Sequence, residues 1–280
     1  MNLSALEELA RDDLYEHLYS VYTEHRPAES QHLGYVDKSR EKIDISLPLS
    51  GIDVVVQQSL SLLSSATQTS STGFICWQTA LHFADWAAAD PRFPIKDLHN
   101  CVVLELGGGV SGLLAAVLGP RLGHYVATDQ SHVVKLMKHN FAENVVSQRF
   151  TSSTVEKSGC GPRKELEESW CKIDIIALDW ENPMEGKAQF RELTGQDSAD
   201  YIFACDTIYN TYLIPHFLSC MGKMMLKNTV AVVAMQLRDE DVTAEFLDAA
   251  FVSGFRVSII KDEFLTPVLV EGFVLYCFQK

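Results

Sequence analysis

The stretch with the clearest chemical character is VVLELGGGVSG, Val102 to Gly112, where a buried-looking apolar strand runs into clustered glycines and then the apolar segment LLAAVLG. Gly107, Gly108 and Gly109 carry no Cβ, so a ligand can approach their backbone closely and the turn can use positive φ. At the carboxyl end of a strand, such a turn suits a nucleotide-like cofactor. Gly107, Gly109 and Gly112 also satisfy the GxGxxG pattern, so the loop alone does not separate a nicotinamide dinucleotide from another adenosine-bearing cofactor.

Two carboxylates bear on that choice. Asp129 ends the strand-like YVATD, where it can accept hydrogen bonds from both hydroxyls of a ribose. Glu105 lies within an apolar strand on the same face as Val103, and a carboxylate there needs a partner. An ammonium group on the cofactor would supply one, whereas a pyrophosphate would be repelled. The competing reading is a carboxylate satisfied by backbone N–H groups. Farther along, Asp206 and Tyr209 follow the strand-like YIFAC. If the chain turns helical there, they stand at i and i+3 and can meet one amine together. The alternative is an N-capping aspartate and a packing tyrosine.

The elements that must position these groups alternate along the chain. From Cys101 onward, CVVLEL, YVATD, IDIIALDW, YIFACD and TVAVVAMQL are strand-like, and helical segments fall at 113–118, 133–145, 213–226 and 242–252. This order predicts a doubly wound α/β core with a mostly parallel sheet. RVSIIKDEFL and GFVLYCFQK are joined without a helix and should pair antiparallel. Before the core, 4–24 reads as one amphipathic helix through Leu6, Leu9, Leu14, Leu18 and Val21; 42–48 and 52–63 read as a β-hairpin. The chain is therefore divided into an N-terminal extension, 1–71, and a main domain, 72–280, forming one compact unit. The Ser-, Gly- and charge-rich stretch 147–169 reads as a surface insertion.

Composition narrows the class. A net charge of −14 opposes binding to a phosphate backbone, and no apolar run reaches the ~20 residues of a membrane-spanning helix. An acidic surface can draw in a lysine-rich protein or simply keep a protein in solution. The seven cysteines are scattered and lack CxxC spacing, which suits a reduced cytoplasm or nucleus and argues against structural zinc. None of the nine histidines has metal-ligand spacing, and no GxSxG motif is present. No metal is expected.

Read in order, Trp77, LELGGG, ATD, LDW and CDTIY resemble the seven-strand S-adenosylmethionine-dependent methyltransferases, and within them the family that methylates lysines of non-histone proteins. DYIFACDTIYN, Asp200 to Asn210, is similar to the matching segment of the fungal ribosomal-protein lysine methyltransferases. The resemblance runs from about Thr72 to the C-terminus. It implies a seven-stranded sheet with an antiparallel last strand, S-adenosylmethionine as cofactor, and a protein substrate of the ribosomal or translation class. It also implies cofactor contacts at Trp77, Gly107 to Gly109, Asp129, Trp180 and Cys205. Ser111 departs from the family, where many relatives carry a further glycine. Trp77 and Trp180 could equally be packed core aromatics, and Cys205 a small lining residue.

Methyl transfer to lysine needs an uncharged amine aligned with the methyl carbon, and lysine has a reference pKa of about 10.4. Asp206 could orient the amine by accepting a hydrogen bond, but a carboxylate also favours the charged form. Tyr209 could offer an aromatic wall for the cation and a polar oxygen. The rival functions are a nicotinamide oxidoreductase, resting on GxGxxG alone, and an S-adenosylmethionine-binding scaffold without turnover.

Overall fold

The computed structural model describes residues 1–27, 31, 33–63, 72–144, 150–155 and 171–280. Its strands are β1 (Leu6–Leu9), β2 (Lys42–Leu47), β3 (Ile52–Gln57), β4 (Val102–Leu106), β5 (His124–Asp129), β6 (Phe150–Thr151), β7 (Cys171–Ala177), β8 (Tyr201–Cys205), β9 (Val230–Gln236), β10 (Arg256–Ile260) and β11 (Phe273–Gln279). The helices are α1 (Leu14–Glu24), α2 (Leu60–Leu63), α3 (Gln78–Ala89), α4 (Leu113–Leu118), α5 (Ser131–Asn144), α6 (Met184–Thr194), α7 (Leu213–Met224), α8 (Glu240–Val252) and α9 (Pro267–Val270).

Nine strands form one sheet in the order β1-β10-β11-β9-β8-β4-β5-β7-β6. β4, β5, β7, β8 and β9 run parallel because helical crossovers return the chain to the same end of the sheet each time. β11 is antiparallel to both β9 and β10, as the helix-poor link between the last two strands predicts. The seven-stranded sheet expected from the resemblance is present, with an extra strand at each edge. β6 pairs parallel with β7, and β1 pairs antiparallel with β10.

That last pairing corrects the expectation of one helix over 4–24. Residues 6–9 are strand and helix begins only at Leu14, because the exposed edge of β10 offers unpaired backbone groups that the Leu6-to-Leu9 segment satisfies. Leucines three residues apart fit either element locally. A second correction falls at 52–63, where the strand ends at Gln57 and a short helical turn occupies Leu60–Leu63.

The sheet is covered on both faces. On one side lie α3, α4 and α5 with the β2-β3 hairpin; on the other lie α1, α6, α7 and α8. Alternation explains the hairpin, whose Ile43, Ile45 and Leu47 are buried between the exposed Lys42, Asp44 and Ser46. Asn140 of α5 locks it in place. Its Oδ1 accepts the Gln57 N–H at 2.8 Å, and its Nδ2 donates to the Gln57 carbonyl at 2.8 Å and the Val110 carbonyl at 2.7 Å. One buried amide thus ties the N-terminal hairpin to the loop after β4. Of the expected surface insertion at 147–169, only 150–155 lies among the described residues, and there the expectation is corrected: residues 150–151 form β6 at the sheet edge and Phe150 is buried.

Candidate active site

The carboxyl ends of β4, β5, β7 and β8 open into one cleft with about 880 Å³ of space, part of it open to solvent. Trp77, Glu105, Gly107, Gly108, Gly109, Asp129, Trp180, Cys205, Asp206 and Tyr209 all line it. These residues are spread over 133 positions of sequence and meet because parallel strands bring their outgoing loops to one end of the sheet.

The glycine turn is shaped by its neighbours. Gly107 and Gly109 adopt φ of +77° and +62°. A Cβ on Gly107 would stand 2.7 Å from the Thr207 methyl and 3.2 Å from the Trp180 ring; on Gly108 it would stand 3.0 Å from the Glu105 carboxyl. The departure at Ser111 is accommodated. Gly112 takes the left-handed conformation (φ +54°), and the Ser111 hydroxyl bridges the turn, donating to the Gly108 carbonyl and accepting the Leu113 N–H at 3.4 Å each.

Asp129, at the end of β5, accepts the Gly109 N–H at 2.8 Å and the Gln130 N–H at 2.7 Å on separate oxygens. Each oxygen keeps a lone pair for a ligand hydroxyl. Burial raises its pKa, with the two amide bonds opposing. Glu105 is 2% exposed and its Oε2 has no hydrogen-bond partner. Burial lifts its pKa to about 8, against the nearby Tyr125 hydroxyl, and the charge of Asp129 adds to the rise. The reading of Glu105 as satisfied by backbone N–H groups is therefore not what this chain does. A buried, unpartnered carboxyl oxygen beside a glycine cradle fits an ammonium-bearing cofactor, whose positive charge favours the ionised form.

Trp180 follows β7 and packs edge-on against Phe217 with ring centroids 5.1 Å apart; its indole N–H is buried without a partner. Trp77 stands at the N-terminus of α3 and donates its indole N–H to the Thr72 carbonyl at 2.9 Å. Cys205 ends β8, and burial, then the charges of Glu105 and Asp206, push its thiol pKa well up, so it stays a neutral lining group.

The segment after β8 departs from the helical turn expected there. Residues 206–209 are not helical, and α7 begins at Leu213, so Asp206 neither caps a helix nor stands one turn from Tyr209. Asp206 is left-handed (φ +58°) and fixed by its own contacts: its N–H donates to the Ala234 carbonyl, and its Oδ1 accepts the Gln236 N–H at 3.3 Å and an ion pair from Arg238. Burial raises the Asp206 pKa, opposed by the Arg238 charge. Arg238 is a residue the sequence reading missed. Its signal was faint: a cation just past VAVVAMQ, at the same end of the sheet as the other loops.

A doubly wound sheet with a cleft at its carboxyl strand ends, a glycine turn after one strand and an aspartate ending the next is the layout of the class I S-adenosylmethionine-dependent methyltransferase fold. The profile of a family described as lysine methyltransferase matches residues 56–159 and 163–250. The ribosomal lysine N-methyltransferase 5 of Zygosaccharomyces rouxii is 27% identical over 93% of this chain and 96% of its own length. The protein of the same name from Kluyveromyces lactis is 28% identical over 90% and 92%. Human N-acetylserotonin methyltransferase, solved with its cofactor, covers 95% of this chain and 66% of its own at 14% identity and a TM-score of 0.41. The chain belongs to the lysine methyltransferase family. It uses S-adenosylmethionine to methylate a lysine side chain of a protein substrate.

Proposed function

We propose that the cleft is divided by function, with one group of residues holding the cofactor and another receiving the acceptor lysine. Gly107 to Gly109 give backbone access, Asp129 takes the ribose hydroxyls, Glu105 takes the ammonium, and Trp77, Trp180 and Cys205 wall the remainder. Asp206 and Tyr209 face the acceptor nitrogen. The observation that carries this reading is the convergence of all these side chains on one cleft, with the buried, unpaired Glu105 oxygen at its glycine end.

When bound, the cofactor supplies a methyl carbon on a sulfonium sulfur; the lysine nitrogen donates its lone pair to that carbon, and the sulfur keeps the bonding pair of the broken S–C bond. The protein's own work is alignment and exclusion of water. Asp206 accepts a hydrogen bond from the amine, and the Tyr209 ring stabilises positive charge as the product forms. The amine's first proton leaves to solvent before transfer.

We further propose a ribosomal or translation protein as substrate and a cytoplasmic location, with nuclear presence also compatible. Support comes from the relatives' names across nearly their whole length and, for the location, from seven scattered cysteines without CxxC spacing. The test is incubation of the protein and isotope-labelled cofactor with a ribosomal fraction from cells lacking it, followed by mass-spectrometric localisation. Label on the side-chain amine of a lysine in a ribosomal or translation protein is expected. Label confined to other proteins would reject the substrate class.

A further inference from the structure

A lone carboxylate beside the acceptor would work against the reaction, because an opposite charge within about 4–6 Å favours the ammonium over the amine. Asp206 is not alone. Arg238 lies two residues past β9, its side chain 20% exposed, and pairs with Asp206 Oδ1. The same guanidinium donates to the Leu33 carbonyl at 3.1 Å and lies over the Trp77 ring, 5.1 Å from its centroid. Three anchors from separate parts of the chain therefore fix its position. Asp206 Oδ2, by contrast, is buried and makes no hydrogen bond of good geometry; the Thr79 hydroxyl, itself without another partner, stands beside the carboxylate. Arg238 is not among the described residues lining the cleft; it stands behind Asp206.

Resting on the reading of Asp206 as acceptor-facing, we propose that Arg238 is a positioning residue for methyl transfer. It holds Asp206 by Oδ1 and compensates its charge, leaving Oδ2 to accept a hydrogen bond from the lysine nitrogen without holding that nitrogen as ammonium. The ion pair supplies direction with little net field. The left-handed backbone at Asp206 belongs to the same device. That conformation is uncommon for a residue with a Cβ and persists where the surroundings over-determine it, here through the Ala234 carbonyl, the Gln236 N–H and Arg238. A planar guanidinium can pair, donate and stack at once; an ammonium cannot do all three.

The test pairs a spectroscopic readout with a kinetic one on the full chain. With 13C-labelled aspartate, infrared spectra of the ligand-free protein near neutral pH should show a protonated-carboxyl band in Arg238→Gln that is absent from wild type and from the R238Q/D206N double variant. On the ribosomal fraction described above, R238Q should lower kcat roughly tenfold or more while cofactor affinity by calorimetry moves by less than about threefold. Arg238→Lys should regain part of that rate, and adding R238Q to Asp206→Asn should cost little more than D206N alone, since both act through one group. Wild-type kcat in R238Q, the absence of a new carboxyl band, or a full R238Q loss on top of D206N would each overturn the proposal. Should R238Q melt below the assay temperature, R238K decides the question: a folded R238K as slow as D206N overturns it. If wild type labels nothing in the ribosomal fraction, the substrate reading fails separately, and the infrared comparison still decides the role of Arg238.

Discussion

Among the carboxylates lining the cleft, Glu105, Asp129 and Asp206 stand in different electrostatic conditions, and each makes a separate demand. Glu105 stands at about 8 in the ligand-free protein through burial, against about 4.3 in an unfolded chain. Between those values the folded protein keeps a proton that the unfolded chain has lost, so this group lowers stability as pH rises through the window. An ammonium-bearing cofactor needs the ionised form, so its affinity should rise from about pH 6 toward about pH 8, above which an α-ammonium itself loses its proton. Glu105→Gln should therefore melt higher than wild type at pH 8 yet bind S-adenosylmethionine more weakly, by about tenfold or more, a contrast that calorimetry and melting curves from pH 6 to 9 can read. PH-independent affinity in wild type would detach Glu105 from the ammonium. Asp129→Ala removes the acceptor of two backbone amides as well as the proposed ribose site. It should weaken cofactor binding by roughly tenfold to a hundredfold in a protein that still folds. Tyr209→Phe and Asp206→Ala should slow methyl transfer far more than they weaken cofactor binding. If either lost affinity in proportion to rate, that residue would belong with the cofactor.

The N-terminal hairpin reaches the glycine loop after β4 through Asn140. Its side chain satisfies both backbone groups of Gln57 and the carbonyl of Val110, directly beside the glycine turn. Replacing it with alanine would strand these groups in a buried setting, at about 1–3 kcal/mol for each left unsatisfied. Asn140→Ala is therefore expected to lower Tm by several degrees and to loosen cofactor binding as well, although Asn140 lies outside the cleft lining. A melt shifted without any change in affinity would show that hairpin and loop are mechanically separate. β1 illustrates the converse, an element created by its docking site. Its LEEL segment carries no strong strand preference, and the free edge of β10 supplies the pairing.

Charge is the property of the entire chain that bears on its substrate. At −14, the surface should attract a lysine-bearing basic protein over distances comparable to the Debye length, about 10 Å at 0.1 M salt. Raising ionic strength from about 0.05 to 0.3 M should therefore lower kcat/KM several-fold through slower encounter, with kcat nearly unchanged. Steady-state kinetics at a series of salt concentrations would check this, and a salt-independent kcat/KM would leave the acidity as a matter of solubility alone. The same contrast applies to the fold. The five parallel strands follow crossover rules and β10 and β11 close antiparallel, while the two outer strands complete the edges and place no described residue in the cleft.

The parallel core was legible in the chain because alternating β-rich runs and helices admit few topologies, and a glycine turn followed by Asp129 betrays a cofactor at the strand ends. Glu105 was legible for a related reason: an acidic residue inside VVLEL contradicts its surroundings unless something comes to meet it. The conformation after β8 was not legible. Asp206 favours a helix cap locally, and only the carbonyl of Ala234, the amide of Gln236 and the guanidinium of Arg238, all near residues 234–238, pull it into a left-handed turn. The strand at Leu6–Leu9 escaped reading likewise, since its pairing partner lies about 250 residues away. Local sequence carries periodicity and turn chemistry. Pairings between distant segments are decided by which buried charges and open backbone edges the folded chain brings within reach.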